Sequence, residues 1–559
     1  LPHRSILAIT FTNKAVNEMK QRILESLIRF SDSKIIKSKD KLFFDLVEEL
    51  SISPNRVHQK AKILIQKILY NYGGFEVCTI DKFNQKILRT FAYDLNLPSN
   101  FDVELDSDLL LKSSVDSLIQ KTGKDINLTQ TLVDYALSKT NDDKAWDISI
   151  DLYKSAKLLL NEDSAEYLNS FFGVKLESIN DFKKHLYEEF SALEQQITNI
   201  SKGILKDITR VGLFYSDFNR SSIPKHFEKI ILLGHRTKFN SEWQKDIEGY
   251  SFYNKTVTEK VKKNIESLRP YIIKAFKATK RGVYRLKYIK NIISNLTPNS
   301  VLALISKELN EIKSHQNIVL ISEFNRIISN KIKSQPAPFI YERLGEKFDH
   351  IFIDEFQDTS KLQWENITPL IKNNLACPGN TVLLAGDPKQ AIYRWRGGHP
   401  DQFIDIINRN KSFSAETNIY TLPLNYRSSK EIVMFNNSFF EFISKNFFSN
   451  QLHKEIYSDS IQSANRRSHG LVHLSFLDLN TNSDKATAYA DKVFKTINSI
   501  VSSSDTISYQ DICVLVRKQK QGVVIANHLI EKGIPVISSQ SLLISSSREV
   551  LCIIALYKY

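Results

Sequence analysis

Cysteine is nearly missing from this 559-residue chain. The four present, Cys78, Cys377, Cys513 and Cys552, lie far apart and form no CxxC pair. That spacing argues against a disulfide framework or a zinc site, and it fits a reducing compartment. Glycine (17) and proline (14) are scarce while 42% of residues are hydrophobic, which argues for a compact, helix-rich chain rather than a disordered one. No apolar run approaches the ~18 residues that a bilayer span needs, and no secretory leader is present. The expected location is therefore cytoplasmic, with no membrane partner. Nor does any stretch match the Gly-x4-Gly-Lys-Ser/Thr phosphate loop. Negative charge is also in deficit: the net charge of +14 favours a polyanionic partner such as nucleic acid or an anionic membrane.

What is present concentrates in two strings. Residues 348–360 read FDHIFIDEFQDTS, and some thirty residues later the chain reads LLAGDPKQAIYRWRGG. Ile351, Phe352 and Ile353 run into Asp354 and Glu355; Val382, Leu383, Leu384 and Ala385 run into Gly386, Asp387 and Gln390. Short continuous apolar runs suit strands of a parallel sheet covered on both faces. Ligands of such sheets collect at the carboxyl ends of the strands, where these polar groups fall. Adjacent carboxylates there suit a nucleotide site, one holding Mg²⁺ and the other orienting a water.

Length predicts roughly three or four domains. Ser5–Thr10 reads as a buried strand, followed by a helix with Val16, Met19, Ile23 and Leu27 at helical spacing, capped by Thr12 or Asn13. Glu76–Ile80 reads as a second strand, with Asp81, Lys82, Phe83 and Asn84 opening a helix. From about residue 100 to 317 the pattern is mainly helical. Within it, Lys255–Lys290 carries twelve basic residues against Glu259 and Glu266, interleaved with Tyr271, Phe276, Tyr284 and Tyr288. Such a stretch reads equally as a DNA-tracking surface or as a solvated helix face with its aromatics in the core; a membrane-surface helix is a third reading. Residues 318–332 read as a helix, with Pro400 starting another. Strands are expected at Asn418–Leu424, 470–478, 511–517 and 534–538, with Ser428 and Ser429 capping a helix and Gly533 ending a later one. This alternation implies a second parallel-sheet lobe.

The DEFQDTS and GDPKQ strings, with TFTNKA and LNYRSS, make the chain resemble the superfamily-one DNA helicases of the UvrD and Rep type, closest in the GDPKQ wording to RecB and AddA helicase–nuclease subunits. The resemblance implies an α/β fold of two RecA-like parallel-sheet lobes, both incomplete, with a large mainly helical insertion in the first. The expected division is 1–99 and 318–415 for the first lobe, 100–317 for the insertion, and 416–559 for the second lobe. It implies ATP and Mg²⁺ as cofactors. Asp354 would hold the metal, Glu355 the hydrolytic water and Gln390 the γ-phosphate, with Gln357 and Asp358 linking the two motifs. Arg427 would reach the γ-phosphate from the second lobe, its planar guanidinium suiting two oxygens at once, and Tyr426 would stack on adenine. By the same resemblance Tyr393 and Trp395 stack on single-stranded DNA, Arg396 helps hold it, and Thr10, Phe11, Thr12, Asn13 and Phe83 add contacts. Asp81 stands where the family commonly has His.

The function so implied is an ATP-driven, 3′-to-5′ DNA helicase or translocase acting on single-stranded and duplex DNA in repair or recombination, with a nuclease or helicase partner subunit. Leu1 in place of Met and an ending inside a helical pattern read as a fragment of a longer protein. The family's phosphate loop would then lie upstream and its late motifs downstream, and the 559 residues alone would hydrolyse ATP poorly. Two other classes compete. A DNA-binding scaffold that has lost its motor has no chemical need of Asp354, Glu355, Gln390 and Arg427 together, and a transporter ATPase has no use for the YRWR set.

Overall fold

The computed structural model describes every residue except 1, 96, 99, 105, 142–144, 165, 166, 169–171, 255, 256, 334–346, 410–416, 459, 467, 468, 479–484, 504, 505, 539–543, 545, 546 and 559. The chain forms two compact units, one of Leu1–Leu422 with Ser449–Asp459 and one of Pro423–Phe448 with Ser460–Tyr559. The lobe boundary expected at 415/416 lies outside the described residues.

In the first unit the strands run in chain order as β1 (Ile6–Thr10), β2 (Val77–Thr79), β3 (Asp102–Glu104), β4 (Ile318–Leu320), β5 (His350–Ile353) and β6 (Thr381–Leu384). Four of them form a parallel sheet in the order β2-β1-β5-β6. Its register pairs Thr10 with Thr79, Ile9 with Ile353, and Ile353 with Leu384. All four carboxyl ends therefore share one edge, and the two strings that stand out in the sequence leave the sheet side by side.

Leu7, Ile9, Ile351 and Ile353 bury one face of the sheet against Ile87, Leu88, Phe348, Phe356, Ile367 and Leu370. The other face is only partly covered, by Val16, Met19, Ile23 and Phe75. Coverage of both faces, expected from the apolar runs, is thus corrected. Ile6, Phe352 and Leu383 remain exposed, and a cavity of about 520 Å³ opens over them, lined also by Leu27, Ile68 and Asp354.

The helix after β1, Asn13–Phe30, is capped by Thr12, whose hydroxyl accepts from the Ala15 amide at 3.1 Å. β2 is shorter than expected because the helix Ile80–Thr90 begins at Ile80, with Thr79 as its cap.

Residues 318–320, read from sequence as helix, are strand β4, and the helix begins at Phe324 (Phe324–Lys333). β4 pairs in parallel with β3 through Val103 and Val319. This two-stranded clasp brings together the ends of the excursion 105–317, whose regular structure among the described residues is helical, apart from isolated bridges. Its longest helices, Leu176–Arg210 and Glu259–Ser300, pack on each other. They touch at Gly282, where an added Cβ would lie 2.4 Å from Ile197 Cγ2. Glycine there sets the interhelical distance.

In the second unit the strand is the LNYRSS string itself, β7 (Leu424–Ser429), not Asn418–Leu424. It pairs in parallel with β8 (Ser463–Arg466), with a register shift between Asn425 and Ser429. Asn425 sits at the irregularity: its Oδ1 accepts from the amides of Arg427 (3.0 Å) and Ser428 (2.9 Å), a local side-chain pairing that competes with the ladder. Ser429 occupies the cap position of the helix Lys430–Phe447. Gly533, at φ 78°, ends the helix Gln519–Glu531 as expected.

The three remaining expected strands, 470–478, 511–517 and 534–538, are corrected: their described residues carry no ladder. Phe476 is 93% exposed and Leu515 90%. An apolar run marks a segment able to pair, but a parallel strand takes its partners from chain far away in sequence, which local composition does not encode. The architecture is nonetheless α/β, with parallel sheets and a large helical insertion.

Candidate functional site

β5 ends in a tight acidic turn. Asp354 donates its amide to Ile9 O, and Asp354 Oδ1 accepts from the Glu355 amide at 3.0 Å. Glu355 sits in left-handed backbone at φ 53°, a conformation that costs a non-glycine residue about 1 kcal/mol or more. Gln357, 1% exposed, spans the two motifs. Its Nε2 donates to Glu355 Oε2 at 2.7 Å, and its Oε1 accepts from the Asp387 amide at 3.0 Å. A Cβ on Gly386 would lie 2.5 Å from that Oε1 and 3.1 Å from the Phe356 amide nitrogen. The approach of the two strings therefore requires glycine at 386.

Burial pushes the Asp354 carboxyl above its ordinary range; the Glu355 charge adds to the shift, and the Glu355 amide opposes it. A carboxylate so placed gains from a cation. Mg²⁺ binds through one or two carboxylates while keeping waters and phosphate oxygens. Adjacent Asp354 and Glu355 fit that mode, and among the described residues there is no cluster of three or more such ligands. On the second string, burial of Asp387 is outweighed by Lys389 Nζ at 2.7 Å and Gln390 Nε2 at 3.0 Å, which hold its carboxyl below the usual range. Gln390 is exposed at the same edge as Glu355.

Five residues past Gln390 the chain presents an aromatic platform. The Phe11 and Tyr393 rings lie 4.6 Å apart between centroids, and Tyr393 and Trp395 lie 6.3 Å apart. Trp395 is 78% exposed, with the Arg396 guanidinium 5.6 Å from its ring. An exposed ring backed by two others and flanked by a cation is suited to stacking on a nucleobase. The platform is tied to the acidic string: burial raises the Asp358 carboxyl, and hydrogen bonds from the Ile392 and Tyr393 amides pull it back. Gly397 (φ 90°) and Gly398 then turn the chain, with Gly398 bridging Ser360. Thr12 and Asn13 lie next to Phe11 at the start of their helix.

Two expected DNA contacts are corrected. Phe83 is 2% exposed, edge-on to Phe348 in the main core, so its ring has no face for a base. Thr10 is 1% exposed, its hydroxyl enclosed in the sheet. Asp81 accepts from Gln363 Nε2 at 3.4 Å; burial raises its carboxyl, while the Arg396 charge and the Gln363 bond lower it. In the basic stretch Lys255 lies outside the described residues. Tyr271, Tyr284 and Tyr288 are exposed, but Phe276 is in the core. Several cations there are engaged internally: Lys277 with Glu248, Arg285 with Glu189, and Lys287 with the Thr237 carbonyl. Tyr426 and Arg427 belong to the second unit, both exposed on β7.

Sequence reasoning missed a buried polar group beneath the platform, formed by Asn84, Asn325, Ser360 and Gln363. The one available signal was Ser360 three residues before Gln363, a capping-box spacing that the structure realises. Among the described residues no helix is long and apolar enough to cross a membrane.

Residues 1–411 match the model of the UvrD/REP helicase N-terminal domain, and residues 420–559 that of the UvrD-like helicase C-terminal domain. Three similar curated proteins are each named as one subunit of an ATP-dependent helicase/nuclease. That of Natranaerobius thermophilus is 22% identical over 620 residues, covering 99% of this chain and 46% of the relative. That of Lactobacillus acidophilus is 23% identical over 603 residues, covering 95% and 45%, and that of Thermoanaerobacter pseudethanolicus is 24% identical over 473, covering 79% and 36%. The chain spans less than half the length of each of these relatives.

Proposed function

Since the chain belongs to the UvrD/REP helicase family, we propose that the intact protein is an ATP-driven DNA helicase or translocase of repair or recombination, working 3′ to 5′ within a helicase–nuclease complex. The observation that carries the reading is the juxtaposition at one sheet edge. Asp354 and Glu355 stand beside Gln390, and the same short segment continues to Tyr393 and Trp395.

In this reading Asp354 binds Mg²⁺, which supplies charge neutralisation at the phosphates when bound. Glu355, held by Gln357, orients a water and takes its proton. Gln390 leaves Asp387 to donate to the γ-phosphate; Arg427 has the role of a phosphate-contacting guanidinium and Tyr426 that of a ring for adenine. Phe11, Thr12, Asn13, Tyr393, Trp395 and Arg396 form the single-strand surface. The phosphoryl group needs neutralisation and an in-line water more than covalent help, which is why polar residues without a nucleophile suffice. Because Gln390 and Trp395 are joined by four residues, of which Ile392 and Tyr393 donate their amides to Asp358, a change at the phosphate end moves the base-stacking end. Residues 100–317 form the insertion domain in this scheme, and the partner is of the kind that the relatives' names imply.

Glu355→Gln in the intact protein tests this. An amide at 355 still accepts from Gln357 but is no base. ATP and single-stranded DNA should bind as before, while DNA-stimulated hydrolysis falls by about 10²–10⁴. Turnover retained by the variant would refute the assigned role, and a wild-type protein that binds DNA without any ATP turnover would favour a scaffold.

A further inference from the structure

The helical excursion reaches into the motif region at one carboxylate. Glu162, in the short turn Glu162–Ser164, accepts from Ser360 Oγ at 2.8 Å with one oxygen and from Asn325 Nδ2 at 2.6 Å with the other. These partners are 198 and 163 residues away in sequence, and both are buried. Ser360 is where the acidic string ends. Its hydroxyl also accepts from the Gln363 amide (3.1 Å), and its own amide donates to Gln363 Oε1 (2.9 Å), which caps the helix Lys361–Leu375.

Ser360 is also where the aromatic string turns back, through its bridge to Gly398. A Cβ on Gly397 would come 3.3 Å from Ser360 Cβ and 3.9 Å from Glu162 Oε2. Just before it, the Thr359 carbonyl accepts from the His399 amide (3.1 Å) and Gln402 Nε2 (2.7 Å). On the other prong, Asn325 Oδ1 accepts from Asn84 Nδ2 at 2.7 Å, and the Asn325 carbonyl accepts from Asn366 Nδ2 at 2.8 Å. One carboxylate thus fastens the excursion to the junction between the acidic turn and the Tyr393–Arg396 platform.

We infer that Glu162 is a positioning residue: it holds the Gly397–Gly398 turn, and through it the Trp395 platform, in register with the helical excursion. The inference rests on the helicase reading above. A carboxylate accepting two hydrogen bonds from buried donors is stronger and more directional than the apolar contact that would suffice for packing alone. Its partners Ser360 and Asn325 belong to the junction rather than to the acidic pair or Gln390, so its loss should act on DNA and spare the nucleotide.

The experiment is ATP hydrolysis by the intact protein with and without a single-stranded oligonucleotide. Glu162→Ala should raise the DNA concentration for half-maximal stimulation about tenfold, equivalent to about 1.4 kcal/mol, with DNA-free turnover and KM for ATP unchanged. Glu162→Gln, whose amide can serve both partners with Ser360 now accepting, should restore stimulation to within about threefold of wild type. Glu162→Asp keeps the charge but withdraws the carboxylate by one methylene, so it should behave like the alanine variant and gives the same test if alanine prevents folding. Wild-type half-saturation in the Ala and Asp variants overturns the proposal, as does an equal fall in DNA-free and DNA-stimulated turnover. If the wild-type protein itself shows no stimulation by DNA, the helicase reading has failed.

Discussion

Gln357 offers the sharpest test of how the two strings work together, because one buried amide holds both. Gln357→Ala removes a hydrogen bond to the Glu355 carboxylate and another to the Asp387 amide. A bond to a charged group contributes about 1.5–3 kcal/mol and one between neutral groups about 0.5–1.5 kcal/mol. With the residue 1% exposed, water does not readily replace either, so the expected loss is roughly 2–4 kcal/mol. The larger part falls on Glu355, whose left-handed turn loses its side-chain restraint. A displacement of about 1 Å at a reacting group can cost 10²-fold in rate. DNA-stimulated kcat of the intact protein should therefore fall between tenfold and a hundredfold, with KM for ATP changed by less than threefold. Gln357→Glu separates the two bonds: the Asp387 amide keeps an acceptor, but a second carboxylate now faces Glu355 at the 2.7 Å contact. Its kcat should fall at least as far as in the alanine variant, while a stability probe reporting on the first unit changes less. Wild-type kcat in either variant would refute the reasoning, as would a pure loss of ATP affinity.

Trp395→Ala should weaken single-strand affinity about tenfold, since stacking on one base is worth ~1–3 kcal/mol; unchanged binding in a fluorescence titration would remove Trp395 from the DNA surface. Asp81→Asn should raise the melting temperature at pH 7. The folded-state pKa of Asp81 is raised, chiefly by burial, so its ionised form costs stability at neutral pH, and that cost disappears as pH falls through the folded pKa toward the ordinary Asp value of about 3.9. The advantage of the variant should shrink over the same descent, and an equal or lower melting temperature at pH 7 would contradict the assignment.

The parts legible in the sequence are those that local chemistry decides. An apolar run ending in polar residues marks β1, β5 and β6, Thr12 marks a helix start, and Gly533 marks a helix end. The misjudged parts depend on partners remote in sequence. Segments 470–478, 511–517 and 534–538 have strand composition without ladders, and β3 with β4 has a ladder that three-residue runs could not announce. Phe83 is the instructive residue. A motif resemblance assigned it to DNA, yet Ile80, Phe83, Ile87 and Leu88 recur at helical spacing on the buried face of one helix. That periodicity, weighed against the resemblance, would have placed it in the core. Glu162 had no such signal, since its partners are fixed only by the folded excursion.

The left-handed Glu355 shows why the motif is as long as it is. A side chain at φ 53° persists only where its neighbours over-determine the turn. Here the Asp354 carboxylate accepts the Glu355 amide, Phe356 donates its amide to Ala385, and Gln357 closes from below. Phe356, fully buried between Trp364 and Phe403, anchors the turn to the core. Phe356 and Gln357 therefore each have a mechanical duty toward Glu355, and the adjoining string must bring glycine at 386 to let Gln357 through. A bare Asp-Glu pair would relax into ordinary backbone and turn its second carboxylate away from the first. The strained pose needs its neighbours, and the geometry that presents the Glu355 carboxylate also makes it depend on a second motif some thirty residues away.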